Sequence, residues 1–253
     1  MPYVERDGVR VWYEERGRGA AVLLTHGYGA TSAMWEPQWD ELAARFRLIV
    51  WDLRGHGRSD APDDERRYSE EAAVGDMAAI LDACGVARAV IGGLSLGGYL
   101  SLAFHLAHPE STRALMLFDT GPGYRSEDGR RRWNAMAEEL ARGVDERGLA
   151  ALGGGAEVRR AEHRSIRGLA LAARGILAQR DARVIESLPG IAVPALVLWG
   201  ERDEAFVKPG EYMAAKIPGA VRVVLPGAGH AANLDQPRAF NTAVASFVES
   251  VPA

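Results

Sequence analysis

Two kinds of hydrophobic pattern follow one another along this chain. Near its start, Val9, Val11 and Tyr13 alternate with Arg10, Trp12 and Glu14. A period of two belongs to a strand, and it predicts the opening strand of an antiparallel hairpin. Farther on, the runs Ala21 to Thr25, Leu48 to Trp51, Ala89 to Ile91, Ala114 to Phe118 and Ala195 to Trp199 are apolar on both sides if read as strands. That pattern fits parallel strands covered by helices on both faces. Helical patterns lie between them. Ser69 can cap a helix running to about Asp82, with Glu70 and Glu71 in its first turn, where the helix dipole favours acids. Strand and helix alternate, so the expected fold is α/β, with a mostly parallel, doubly wound sheet.

One stretch breaks the alternation. Residues 121–189 are rich in Arg, Ala and Glu and hold no convincing strand. They read as a mostly helical cap inserted after the strand that ends at Phe118, leaving 1–120 and 190–253 as the core. Gly153-Gly154-Gly155 inside the insertion reads as a hinge or loop. No GxxxxGK[ST] or GxGxxG pattern surrounds it, so a phosphate-binding role is not expected.

Composition narrows the function. The chain has 253 residues, 47% hydrophobic and 25% charged, enough for a full-sized core. A net charge of -4 argues against a nucleic-acid partner, because neutralising phosphates needs a basic excess. Cys84 is the single cysteine, so no intrachain disulfide forms, and no Cys/His cluster has zinc-ligand spacing. Cys84 follows a helical pattern and reads as inert core. No metal or cofactor is expected. The first residues lack a basic region followed by an apolar stretch, and the apolar runs are far short of a membrane span. The expectation is a cytoplasmic protein with no membrane partner.

The strongest chemical signal is Gly93-Leu94-Ser95-Leu96-Gly97-Gly98, directly after one strand pattern and before the helical pattern Tyr99 to Leu106. A serine on a sharp strand-to-helix turn sits in a strained backbone conformation, and only small neighbours at 93 and 97 let strand and helix approach. The helix start behind Ser95 also aims backbone N–H groups at the place where an oxyanion would form. A second signal, His26-Gly27-Tyr28-Gly29, follows the strand Ala21 to Thr25. There the backbone N–H of Tyr28, with that of Leu96, would make an oxyanion hole. His26 reads as a structural histidine fixing this loop.

These motifs, with Asp52-Leu53-Arg54-Gly55-His56-Gly57-Arg58-Ser59, Gly200-Glu201-Arg202-Asp203 and Gly227-Ala228-Gly229-His230, resemble in order those of the α/β-hydrolase superfamily. The resemblance spans nearly the whole chain outside the insertion. It implies an α/β-hydrolase fold and a triad in the order Ser, then Asp or Glu, then His. Of the six histidines only His230 follows the late strand Ala195 to Trp199, which makes it the base, with Ser95 as nucleophile and Asp203 as the acid. Asp119, at the end of the strand Ala114 to Phe118, is the rival acid. The loop Asp52 to Ser59 is assigned to structure, with Gly55 and Gly57 supplying unusual backbone angles.

The elbow resembles those of small esterases and enol-lactonase-type enzymes. The implied activity is hydrolysis of a small carboxylic ester or lactone through an acyl-enzyme. Serine at position 95 disfavours haloalkane dehalogenase and epoxide hydrolase chemistry, where relatives carry Asp. Carbon-carbon bond hydrolases and perhydrolases share the triad and remain open, as does a ligand sensor with slow turnover; a purely structural protein is the remaining alternative. Arg130 to Arg132, Arg159, Arg160, Arg164 and Arg167 read as solvated faces of cap helices. Trp35, Trp133, Tyr99 and Tyr124 are candidates for the pocket wall or for ordinary core.

Overall fold

The computed structural model of the chain describes residues 3–252. Its strands are β1 (Tyr3–Arg6), β2 (Val9–Arg16), β3 (Ala21–Thr25), β4 (Arg47–Trp51), β5 (Ala89–Leu94), β6 (Thr112–Phe118), β7 (Ala195–Gly200) and β8 (Val221–Leu225). They form one sheet in the order β1-β2-β4-β3-β5-β6-β7-β8. The pairs β1/β2 and β2/β4 are antiparallel, and all the others are parallel. The five doubly apolar strands are where the hydrophobic pattern places them, but the alternating segment is β2, the second strand of the antiparallel hairpin; its opening strand is β1. β8 was not anticipated. It is an edge strand whose Val221 and Arg222 are exposed, so its sequence lacks the apolar run that marks the central strands.

The doubly apolar runs bury both faces. Leu23, Ile49, Ile91, Leu115 and Val197 point into one core, and Val22, Leu48, Val90, Met116 and Leu196 into the other. Each fully buried aliphatic side chain contributes on the order of 2 kcal/mol relative to exposure. The first core is closed by α2 (Glu70–Ala83) and α3 (Leu96–Ala107), through Met77, Ile80, Leu100 and Phe104. The second is closed by α1 (Glu36–Ala43), through Trp39 and Leu42.

Ser69 caps α2 as expected, accepting from the backbone N–H of Ala72 at 3.0 Å. Cys84, at the end of α2, is half-buried rather than core, and burial still pushes its thiol up to about 11.

Among the described residues, no strand lies between β6 and β7. The segment holds α4 (Glu127–Arg147), α5 (Ala156–Arg159), α6 (Ile166–Gly175) and α7 (Arg183–Ser187), and Gly153-Gly154-Gly155 lies in the loop before α5. Helices α4 and α6 share a small core of Ala141, Val144, Leu169, Ala170 and Ala173. The chain closes with α8 (Glu204–Lys216), α9 (Ala232–Asp235) and α10 (Pro237–Ser250). Phe240, Val244 and Phe247 of α10 join α1 over the second core. No helix among the described residues is long and apolar enough to cross a membrane.

β3 lies between β4 and β5, so the chain leaves the sheet centre in opposite directions from these neighbours. In open α/β sheets, ligands bind beyond the strand carboxyl ends at such a switch point. The residues after β3, β5, β6, β7 and β8 gather at that end of the sheet.

Candidate active site

β5 passes into α3 through Ser95, whose backbone takes φ 56° and ψ -117°. A non-glycine residue held in such a region costs about 1–3 kcal/mol and persists only where its surroundings fix it. Here the Ser95 N–H donates to the Phe118 carbonyl at 2.9 Å, and the Ser95 carbonyl accepts from Thr120 Oγ1 at 2.6 Å. The flanking glycines are steric necessities: a Cβ on Gly97 would stand 2.1 Å from the Thr25 carbonyl oxygen, and one on Gly93 2.4 Å from the Gly97 carbonyl carbon. Ser95 is partly exposed between buried neighbours.

His230 follows β8, and its Nδ1 lies 2.7 Å from Oδ2 of Asp203, which follows β7. An ionised carboxylate only accepts, so the proton sits on Nδ1 and the lone pair on Nε2. Asp203 is 7% exposed, and the ring of Phe206, one turn into α8, stacks on the imidazole at 5.1 Å and 25°. Neither His230 Nε2 nor the Ser95 hydroxyl hydrogen-bonds another described residue.

Asp119 follows β6 and does not reach His230. Its Oδ1 accepts from the Gly200 N–H at 2.7 Å, whereas Oδ2 is buried without a partner. Burial, reinforced by the nearby charge of Asp203, pushes its pKa up to about 9. A carboxyl in that state is a neutral acid at pH 7 and cannot balance an imidazolium.

The loop after β3 is held by three buried or half-buried histidines. His26 Nε2 accepts from the Leu53 N–H at 3.0 Å, so Nδ1 carries the proton and donates to the Gly27 carbonyl at 2.7 Å. His56 Nε2 accepts from the Gly29 N–H at 3.2 Å. His163, from the helical segment between β6 and β7, accepts the Gly57 N–H at Nδ1 (3.1 Å) and so donates from Nε2 to the Gly29 carbonyl (3.0 Å). Burial lowers all three pKa values, that of His26 to about 4.

The loop Asp52 to Ser59 is equally tied down: Asp52 accepts from the N–H groups of Ser32 and Arg58 at 2.8 and 2.9 Å. The buried Arg54 grips Asp76 of α2 through two bonds of 2.7 and 2.6 Å. Gly55 and Gly57 have φ of 80° and 51°, as expected of them. Amid this network the N–H groups of Tyr28 and Leu96 have no partner among the described residues.

Ser95 opens into a cavity of about 490 Å³. Its wall is mainly apolar, formed by Leu96, Tyr99, Tyr124, Trp133, Leu177, Ile185, Phe206 and Tyr212, with Thr120, Gln179 and Lys208 as polar members. Three of the four candidate aromatic residues thus line it; Trp35 instead lies fully buried against Phe118 and Phe240. No arginine of the helical segment between β6 and β7 lines it. Arg131, Arg132, Arg160 and Arg167 form exposed pairs with Asp128, Glu36 and Asp63. The stacking residue Phe206, the brace Thr120 and the inward-facing Gln179 were not anticipated. Phe206 had one available signal, its place one turn after Asp203.

The profile of the α/β hydrolase family matches residues 22–243. A putative 2-succinyl-6-hydroxy-2,4-cyclohexadiene-1-carboxylate synthase of Bacillus subtilis is 30% identical over 266 residues, covering 97% of each chain. A thermophilic esterase from Thermogutta terrifontis superposes with a TM-score of 0.83 at 29% identity, covering 100% of this chain and 98% of that one. The enol-lactonase from Burkholderia xenovorans LB400 gives 0.80 at 28% identity, covering 98% and 100%. The eight-stranded sheet, the match across most of the sequence and these neighbours agree: the chain belongs to the α/β hydrolase family.

Proposed function

We propose that this hydrolase cleaves a small carboxylic ester or lactone through an acyl-enzyme, with Ser95 as nucleophile, His230 as base and Asp203 as its orienting acid. The observation that carries this reading is a strained serine opening into an apolar cavity whose wall residue Phe206 stacks on a histidine fixed by a buried carboxylate. His230 Nε2 takes the Ser95 proton as Oγ attacks the carbonyl carbon, and Asp203 stabilises the imidazolium. The N–H groups of Tyr28 and Leu96 receive the developing oxyanion. The alcohol leaves with the proton from His230. Water, activated by the same nitrogen, then attacks the acyl carbon, releasing the acid and restoring Ser95. Residues 121–189 act as a cap, supplying Tyr124, Trp133, Leu177 and Gln179 to the wall.

Similarity to an esterase and an enol-lactonase supports this bond class. A hydrolysis screen across short p-nitrophenyl esters, lactones and ring-cleavage diketones tests it. Turnover of esters or lactones is expected. Turnover of diketones alone would move the chemistry to carbon-carbon bonds, and tight ligand binding with only slow single-turnover labelling would make the chain a sensor.

A further inference from the structure

Gln179 is 6% exposed, yet one end of its side chain is unused. Its Oε1 accepts from the Tyr124 N–H at 3.1 Å. Because that partner is a donor, the atom facing it is oxygen, and the other end of the amide must be the NH₂ group. Nε2 has no partner among the described residues, and Gln179 lines the cavity that Ser95 opens into.

The surroundings hold this donor in place. Asn134 of α4 clamps the Gln179 backbone from both sides, donating to its carbonyl at 2.9 Å and accepting from its N–H at 2.8 Å. Gly123, at φ 85°, leaves room for the amide: a Cβ there would stand 2.9 Å from Oε1. The other buried polar wall groups are occupied. Thr120 Oγ1 donates to Ser95 and the Tyr99 hydroxyl donates to Glu70 at 2.7 Å. Gln179 Nε2 is thus the unpaired end of an anchored amide in a mainly apolar cavity wall, and a substrate that covers it without offering an acceptor forfeits about 1–3 kcal/mol.

We propose that Gln179 is a specificity-determining residue, whose Nε2 donates to an uncharged oxygen on the substrate, an oxo group set apart from the scissile carbonyl. A carboxylate held at Gln179 would meet one neutral donor among apolar walls, and an uncompensated buried charge is far costlier than a buried carbonyl. The one cationic wall residue, Lys208, is exposed. The substrate class is therefore a neutral oxo-substituted ester or lactone. This deepens the proposed hydrolase reading and rests on it.

Two matched pairs of substrates test the proposal: p-nitrophenyl pentanoate against 4-oxopentanoate, and hexanoate against 5-oxohexanoate, with the p-nitrophenyl half-ester of glutaric acid as the anionic probe. The wild type should favour the oxo member of at least one pair by on the order of 10-fold in kcat/KM. Gln179→Glu keeps an oxygen for the Tyr124 N–H but replaces the donor with an acceptor, so the ratio should fall below one. Gln179→Leu should bring it near one. Equal wild-type rates within both pairs, or a preference that survives in Gln179→Glu, would overturn the assignment. So would a preference for the glutarate half-ester that is lost in Lys208→Ala.

Calorimetry on Ser95→Ala with methyl 5-oxohexanoate and methyl hexanoate separates this claim from the catalytic one. Tighter binding of the oxo ligand, lost in Ser95→Ala/Gln179→Glu, supports Gln179 even if no ester is turned over. Equal binding of the two ligands counts against it even if Ser95 is the nucleophile.

Discussion

Asp119 and Asp203 follow adjacent parallel strands, β6 and β7, but only Asp203 bonds His230; Asp119 turns to the Gly200 N–H instead. Two carboxyl groups a strand apart thus have different partners, one an imidazole and one a backbone amide, and burial raises the pKa of the second.

The first prediction follows from that division. Asp203→Asn should leave the fold intact and lower kcat by on the order of 10⁴-fold, because an amide facing Nδ1 favours the wrong imidazole tautomer. Asp119→Asn should have a far smaller effect on turnover. Steady-state kinetics of both variants on one p-nitrophenyl ester decides it, and the reverse ranking would transfer the role to the β6 carboxyl.

Asp119 also sets a pH dependence of stability. Its folded pKa, raised by burial to about 9, lies above the ordinary 3.8, so the folded protein keeps a proton that the unfolded chain releases in between. Its contribution is complete below 3.8 and is lost as pH rises through 9. Asparagine tolerates positive φ and does not titrate. The Tm of Asp119→Asn relative to wild type should therefore rise steadily from pH 5 to pH 9. A constant difference would mean that Asp119 is ionised in the folded protein.

Ser95→Ala should reduce ester hydrolysis by on the order of 10⁴- to 10⁶-fold, as loss of a triad nucleophile does elsewhere. A serine-directed phosphonate, followed by peptide mass spectrometry, should modify the wild type at Ser95 alone. Near wild-type activity in the variant would remove the nucleophile assignment.

The histidines around the β3 loop give an acid limb of opposite sign. His26, His56 and His163 have folded pKa values lowered by burial, while the unfolded chain binds their protons near 6.5. Their neutral network is intact above that pH and loses stability as pH falls from 6.5 through about 4, the value for His26. Thermal melts should show Tm falling over that interval. His163→Gln should flatten part of the slope; an unchanged slope would assign the acid limb to other groups.

The elbow was legible in the sequence because its geometry forbids side chains at 93 and 97, so the steric demand is written in the residue types. The central strands were legible because both their faces are buried. β8 escaped because an edge strand buries little and Arg222 interrupts its apolar run. Chain order separated His230 from five other histidines only with the family resemblance in hand. Gln179 could not have been found from sequence: its role depends on Tyr124 and Asn134, 55 and 45 residues away, and glutamine carries no local signal for which end of its amide is free.

His163 lies in the helical segment between β6 and β7, yet it accepts the Gly57 N–H and donates to the Gly29 carbonyl, on two loops of the sheet. The backbone amide of Gly57 is thereby shielded by a side chain from a different part of the chain. Its exchange with deuterium should therefore report the excursions of that helical segment rather than those of its own loop. In native-state exchange, Gly57 should follow the protection of α6 amides across a denaturant series, moving as one cooperative unit with them.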